Sequence, residues 1–202
     1  MIEGQILLTQ IRNKGIPNAI IAGGYVRDHY LGGKYKDIDI FFPVTSQRNY
    51  YDRLDDIKNL DGLEIDKTPK EGYKGYKTFY TKDYLWNKIP VQFIGHKIQG
   101  EFIPSLMDSF NFNIDKMYYD GVDTIITDEA EDDAKGRWAT LNQLKEMSYL
   151  PTAMKKYERL KEKYPVLKFR TTCLELIEGK KDKEVLPRML TKNEAKDWDI
   201  IF

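Results

Sequence analysis

The sequence predicts an α/β (α+β) fold in which a helical part follows a sheet-bearing head. Three observations carry this. Helical spacing and short strand-like runs alternate between residues 3 and 120. A strong helical period then fills TAMKKYERLKEKYPVL, residues 152–167. Residues 21–42, IAGGYVRDHYLGGKYKDIDIFF, read as the end of a strand, a Gly-Gly turn, a short helix, a second Gly-Gly and a new strand.

Taken in order, residues 3–14 form an amphipathic opening helix with Ile6, Leu7 and Ile11 on its buried side, ended by Gly15 to Asn18. Ile20-Ile21-Ala22 is a buried strand, Tyr25 to Leu31 a helix, and Asp37 to Phe42 a strand closed by Pro43. Thr45 or Ser46 caps a helix over 46–59 with Tyr50, Tyr51, Leu54, Ile57 and Leu60 as its inner stripe. Residues 63–65, 76–80, 84–86 and 89–94 read as strands, with a hairpin turn at Thr81-Lys82-Asp83. Residues 101–107 read as a helical turn, Phe110 to Met117 as a strand, Asp128 to Ala134 as a short acidic helix and 137–150 as irregular or partly helical. Two further helices follow, the second over 168–178, and LTKNEAKDWDIIF, residues 190–202, reads as a last helix. The end of the chain carries an apolar tail of Trp198, Ile200, Ile201 and Phe202, suited to docking on the domain, on a partner protein or on a second copy.

Composition narrows the function classes. With 202 residues, 41% of them hydrophobic, the chain is long enough for one sizeable domain with an appendage. Lys and Arg number 32 and so do Asp and Glu, so no overall basic excess marks a nucleic-acid grip. The local basic run Lys155, Lys156, Arg159, Lys161 and Lys163 carries Glu158 and Glu162 as counter-charges and reads as a solvated helix face. No apolar run is long enough to span a membrane. The N-terminal segment lacks the layout of a signal peptide, and the single Cys173 excludes an internal disulfide framework. A cytoplasmic setting is the expectation, the host's cytoplasm if the gene is a phage's. His29 and His96 are far apart and read as structural, and the tryptophans read as packing.

The chemistry concentrates in residues 21–42. Gly23 and Gly24, at a strand-to-helix turn, let a ligand approach the backbone, and helix-start amides favour an anion. Asp37 and Asp39, two apart on a strand, project to the same side and suit a hard cation. Singly, a Gly-Gly is a turn and an Asp-x-Asp a solvated edge; together within 22 residues they equip a site for phosphoryl or nucleotidyl transfer.

The order Gly23-Gly24-x-Val26-Arg27-Asp28, then Leu31-Gly32, then Asp37-Ile38-Asp39-Ile40, resembles the head domain of class II tRNA nucleotidyltransferases and poly(A) polymerases, members of the DNA polymerase beta-like superfamily. The resemblance implies a nucleotidyltransferase head with a mixed, mainly antiparallel sheet flanked by helices over residues 1–125, and a helical extension packed on it over 126–202. It implies Mg²⁺ or Mn²⁺ held by Asp37 and Asp39, an NTP (ATP or CTP) against Gly23 and Gly24, and support from Arg27, Asp28 and Lys36, with Lys34 a weaker phosphate candidate. The superfamily's third metal carboxylate falls on a later strand, where this chain has Gln92, a neutral oxygen ligand. Residues 109–120 resemble the family segment RRDFTINAMAYD at Phe112, Ile114, Met117, Tyr119 and Asp120. They depart from it at Phe110, Asn111 and Asp115.

The function expected is therefore metal-dependent transfer of an NMP from an NTP to an RNA end, a protein or a small molecule, with release of pyrophosphate and a link to RNA processing. The short chain after residue 120 does not suit a full tRNA-adding enzyme. A catalytically degenerate nucleotide- or partner-binding module is the alternative. A sugar-nucleotide glycosyltransferase using Asp-x-Asp is a third class.

Overall fold

A computed structural model describes residues 2–65, 79–98, 100–142 and 150–171. Within them the chain divides into two compact units, one of residues 1–107 and 117–126, the other of 108–116 and 127 onward.

The first unit is a seven-stranded sheet with helices. It contains α1 (Ile2–Asn13), β1 (Ile20–Ala22), α2 (Gly24–Tyr30), β2 (Ile38–Val44), α3 (Gln47–Ile57), β3 (Leu63–Ile65), β4 (Phe79–Trp86), β5 (Ile89–Lys97), α4 (Phe102–Met107), β6 (Met117–Tyr119) and β7 (Thr124–Ile126). The strand order is β3-β4-β5-β2-β1-β6-β7. Every neighbouring pair is antiparallel except β2 with β5, so the sheet is mixed and mainly antiparallel, as expected.

Alternation along the strands sorts the two faces. Ile38, Ile40 and Phe42 of β2 register with Val91, Phe93 and Gly95 of β5 on one face. There α3 lies across them: Tyr50 stacks on Phe42 at 5.8 Å, donates its hydroxyl to the Phe93 carbonyl at 2.9 Å, and occupies the space a Cβ on Gly95 would need. α1 packs on the same face, because Ile21 pairs with Ile40 and its Cδ1 lies 2.9 Å from where a Cβ on Gly4 would stand. Leu7, Leu8, Ile21, Ile38, Ile40, Phe42 and Phe93 are fully enclosed, each contributing about 2 kcal/mol relative to exposure. The opposite face carries Asp39, Phe41, Gln92, Ile94 and His96, and α4 meets it where Ser105 Oγ lies 3.3 Å from His96 Nε2.

Several local expectations change. The buried side of α1 is Gly4, Leu7, Leu8 and Ile11, while Ile6 is exposed. Ser46 caps α3 by accepting from the Asn49 amide, and Tyr51 faces solvent rather than the stripe. Pro43 does not close β2 but sits within it, opposite His96; β1 pairs only as far as Phe41, so the missing amide costs nothing on that side. The turn expected at Thr81-Lys82-Asp83 is strand. β4 runs unbroken to Trp86, and the hairpin turns at Asn87-Lys88, with φ of 48° and 69°. Two consecutive left-handed residues match the twist of the flanking strands. The part of the strand expected at 76–80 that precedes Phe79 lies outside the described residues.

The second unit holds a 3-10 turn at Asn113–Asp115, α5 (Asp128–Gly136), β8 (Trp138–Thr140), α6 (Leu150–Lys163) and β9 (Lys168–Arg170). β8 and β9 pair in parallel, where the sequence reads irregular chain and helix. Residues 172–178 of the helix expected over 168–178, and the last helix with its apolar tail, lie outside the described residues. Residues 110–117 read as strand, but only Met117 is strand, in β6; residues 110–116 turn instead, because Asp115 is drawn inside to Lys156 Nζ at 3.0 Å and Phe112 packs with Tyr157 and Phe169. Asp133, fully buried, accepts from the Thr140 amide at 2.8 Å, from the Thr140 hydroxyl and from Arg170, which joins α5 to β8 and β9. Burial still pushes its carboxyl above the usual range. Among the described residues no helix is long and apolar enough to cross a membrane.

Candidate functional site

The glycine turn is set by backbone conformation. Gly23 has φ 73° and ψ −129°, a region closed to residues with a Cβ. Its amide donates to the Met117 carbonyl at 3.1 Å and its carbonyl accepts from the Arg27 amide at 3.0 Å. The Gly23 amide is thus occupied by β6; a ligand would meet the amides that follow it at the start of α2. Gly24 is half-exposed at the opening.

Arg27 and Asp28 lie beneath this turn. They are 7% and 3% exposed, and Arg27 donates to Asp28 Oδ1 from Nε at 2.9 Å and from Nη2 at 2.6 Å. Arg27 Nη2 is also 3.7 Å from the position a Cβ on Gly24 would take. The guanidinium therefore sits close under the turn with its charge matched internally. Tyr25 points instead toward α1, accepting from the Gly4 amide at 3.3 Å, and burial pushes its hydroxyl up to about 12.

α2 ends in a Schellman arrangement: Gly32, at φ 71°, donates to His29 O, and Gly33 donates to Asp28 O. The loop that follows is pinned by an aromatic trio, in which Tyr35 lies 4.6 Å from Tyr25 and stacks on His29 at 5.2 Å. Lys34 and Lys36 are exposed on this loop. It delivers Asp37, one residue before β2, and Asp39 within it, both half-buried. Since Ile21 pairs with Ile40, the start of β2 lies beside the end of β1. The glycine turn and the two aspartates therefore share one end of the sheet.

Gln92 is in register with Asp39, and Asp83 is in register with Gln92. Three polar side chains thus stand in a row on one face, across β2, β5 and β4. Gln92 Nε2 donates to Asp83 Oδ1 at 2.7 Å. Asp83 is the residue the sequence reading passes over, because it places a turn there. The signal was available: Tyr84 and Trp86 mirror Val91 and Ile89 across Asn87-Lys88, a hairpin pattern that puts Asp83 in the strand.

The donor set suits a hard cation. Asp37, Asp39 and the Gln92 carbonyl oxygen are all oxygen ligands, as Mg²⁺ or Mn²⁺ requires. Among the described residues no group of three or more His, Cys, Asp or Glu gathers closely enough to hold an ion.

Solved structures with this fold include CCA-adding enzymes. The Thermotoga maritima enzyme complexed with tRNA matches with a TM-score of 0.59 and 18% identity, over 86% of this chain and 42% of that one. The Bacillus stearothermophilus enzyme in complex with CTP matches with a TM-score of 0.54 and 16% identity, over 79% of this chain and 38% of that one. A CCA-adding enzyme in complex with ATP gives 0.60 and 18%, over 88% and 42%. At these identities the likeness is one of fold, and this chain spans about two fifths of the length of those enzymes. No curated protein matches the sequence. A family model described as "Gabija anti-defense 2 family protein" matches residues 4–135, well over half of the chain. The fold is nucleotidyltransferase-like, and the chain belongs to the Gabija anti-defense 2 family.

Proposed function

We infer that the protein is a metal-dependent nucleotidyltransferase that moves an NMP from an NTP to an acceptor, an RNA end, a protein or a small molecule, and releases pyrophosphate. The observation that carries this is the meeting of the glycine turn with Asp37 and Asp39 at one end of the sheet.

The residues divide the work. The turn at Gly23 and Gly24 lets the triphosphate approach the amides that open α2. Arg27, held under Gly24 by Asp28, would turn guanidinium N–H groups toward the phosphates from a position largely closed to solvent. Lys36 reaches the same end from the loop. Asp37 and Asp39, with Gln92, would hold Mg²⁺ or Mn²⁺. When bound, such an ion supplies charge to the triphosphate and lowers the pKa of the attacking hydroxyl. The acceptor oxygen bonds to the α-phosphorus as the bond to the bridging oxygen breaks, so that pyrophosphate leaves in line. The CCA-adding enzymes were solved with CTP, ATP and tRNA, which supports NTP as donor and an RNA end among the acceptors. The family description supplies the setting: the transfer would counter a defence named Gabija.

A second reading rests on Gln92. A neutral amide where the superfamily places a carboxylate favours a module that binds nucleotide or a partner without turnover. One experiment separates the two. The purified protein is incubated with each α-³²P-labelled NTP, Mg²⁺ or Mn²⁺, cellular RNA and protein extract, beside Asp37→Ala/Asp39→Ala. Label passing to RNA, protein or a small molecule with the wild type alone supports transfer. NTP binding by calorimetry without label transfer supports the binding module, and the absence of both transfer and NTP binding refutes the transferase and the nucleotide-binding module alike.

A further inference from the structure

We propose that Asp83 is a positioning residue for the cation site, acting through Gln92; this rests on the nucleotidyltransferase reading above. The warrant is a juxtaposition. The ladders between β2, β5 and β4 put Asp39, Gln92 and Asp83 side by side on one face of the sheet. Within that row the Gln92 amide nitrogen is committed to Asp83 at 2.7 Å. A primary amide has one donor end and one acceptor end. With the nitrogen fixed on Asp83, the carbonyl oxygen is the end left for a ligand beside Asp39.

Asp83 does two things in this arrangement. It fixes which end of the amide the site receives, since a flipped Gln92 would offer N–H groups that repel a cation. Its charge also polarises the amide, raising the negative character of the carbonyl oxygen. This is the relation by which a carboxylate behind a ligating histidine orients it and raises its basicity. The negative charge missing at Gln92 is therefore present one strand further out, and the amide relays it.

The test is Mn²⁺ titration by calorimetry on the full chain with bound NTP, using wild type, Asp83→Asn, Gln92→Ala, Asp83→Asn/Gln92→Glu and Asp37→Ala/Asp39→Ala, each checked for folding by thermal melting. In Asp83→Asn the new amide can donate to the Gln92 oxygen and turn it from the site, so Mn²⁺ affinity is expected to fall roughly 10-fold, as outer partners of metal ligands do. Gln92→Ala should lose as much. Asp83→Asn/Gln92→Glu should regain affinity to within about 3-fold of wild type, because the introduced asparagine then donates to a ligand carrying its own charge. A merely structural Asp83 would lower the melting temperature of Asp83→Asn and leave its Mn²⁺ affinity unchanged. Unchanged affinity in Asp83→Asn, or no rescue in the double variant, overturns the proposal while Asp37 and Asp39 keep their role. A wild type that binds no Mn²⁺, like Asp37→Ala/Asp39→Ala, overturns the metal reading and this proposal with it.

Discussion

Arg27 and Asp28 are consecutive in the sequence and bound to each other in the interior, Nη2 to Oδ1 at 2.6 Å, with side chains 8% and 4% exposed. Such a pair is costly to break and cheap to replace whole. Removing one partner strands the other's charge, so Arg27→Met or Asp28→Leu alone should destabilise the first unit by about 3–5 kcal/mol. Arg27→Met/Asp28→Leu together should lose less than either alone. Urea unfolding curves of the three variants check the ordering. A double variant that folds well yet binds NTP weakly would show that the guanidinium serves the ligand as well as the fold.

The two glycines of the turn should behave oppositely. Gly23→Ala forces a Cβ onto φ 73°, ψ −129°, a strain of about 1–3 kcal/mol, so it should cost stability. Gly24→Ala meets only Arg27 Nη2 at 3.7 Å, an ordinary contact, at a helical position. It should keep the fold or stabilise it slightly. If phosphates approach the backbone there, Gly24→Ala should weaken NTP binding with no loss of melting temperature. Calorimetry paired with thermal melting reads both.

His96 gives the first unit a pH dependence. Burial holds its imidazole below the usual histidine range, beside Ser105 and Phe102 of α4. The sign follows from linkage: the unfolded chain takes the proton first as pH falls. The contribution is fully present above the ordinary histidine pKa of about 6.5 and is lost as pH drops from there toward the depressed value. The slope from one group cannot exceed about 1.4 kcal/mol per pH unit. Melting temperatures of wild type and His96→Gln between neutral and mildly acid pH should converge as pH falls.

Lys88 sits at φ 69° in the β4–β5 turn, a conformation glycine adopts at no steric cost. Lys88→Gly is expected to raise stability by up to about 1 kcal/mol, measured as a shift of the urea midpoint at constant slope. The gain would confirm that the hairpin turns here, with Asp83 in the strand.

What was legible in the sequence followed from local chemistry. The strand, glycine turn, helix and second strand of residues 20–44 are written in apolar runs and glycines, and the structure forms them within a residue or two. The acidic helix at Asp128–Gly136 was legible from its charge; its cap, Thr127, which accepts from the Ala130 amide, was not read. What was not legible depends on partners distant in sequence. Residues 110–117 alternate like a strand, but Lys156 and Tyr157, about forty positions later, decide that 110–116 turn. β9 reads as helix because its strand character exists only beside β8, about thirty residues earlier. Asp39 and Gln92 were both singled out, yet their register, and the place of Asp83 beside them, needed the ladders.

The excursion of residues 108–116 has a consequence for how the chain can be divided. It crosses between the units at 107, at 116 and again at 126. No single cut yields two complete halves. A fragment ending at Ile126 would keep all seven strands of the sheet, since β6 and β7 are the last of them. It would also carry Phe112 and Ile114, fully enclosed in the whole chain, without the Tyr157 and Phe169 rings against which Phe112 packs. Such a fragment would be sticky rather than unfolded. On the ribosome the same holds for as long as the second unit is still being made: the sheet can close early, while that apolar stretch stays uncovered until α6 and β9 have emerged.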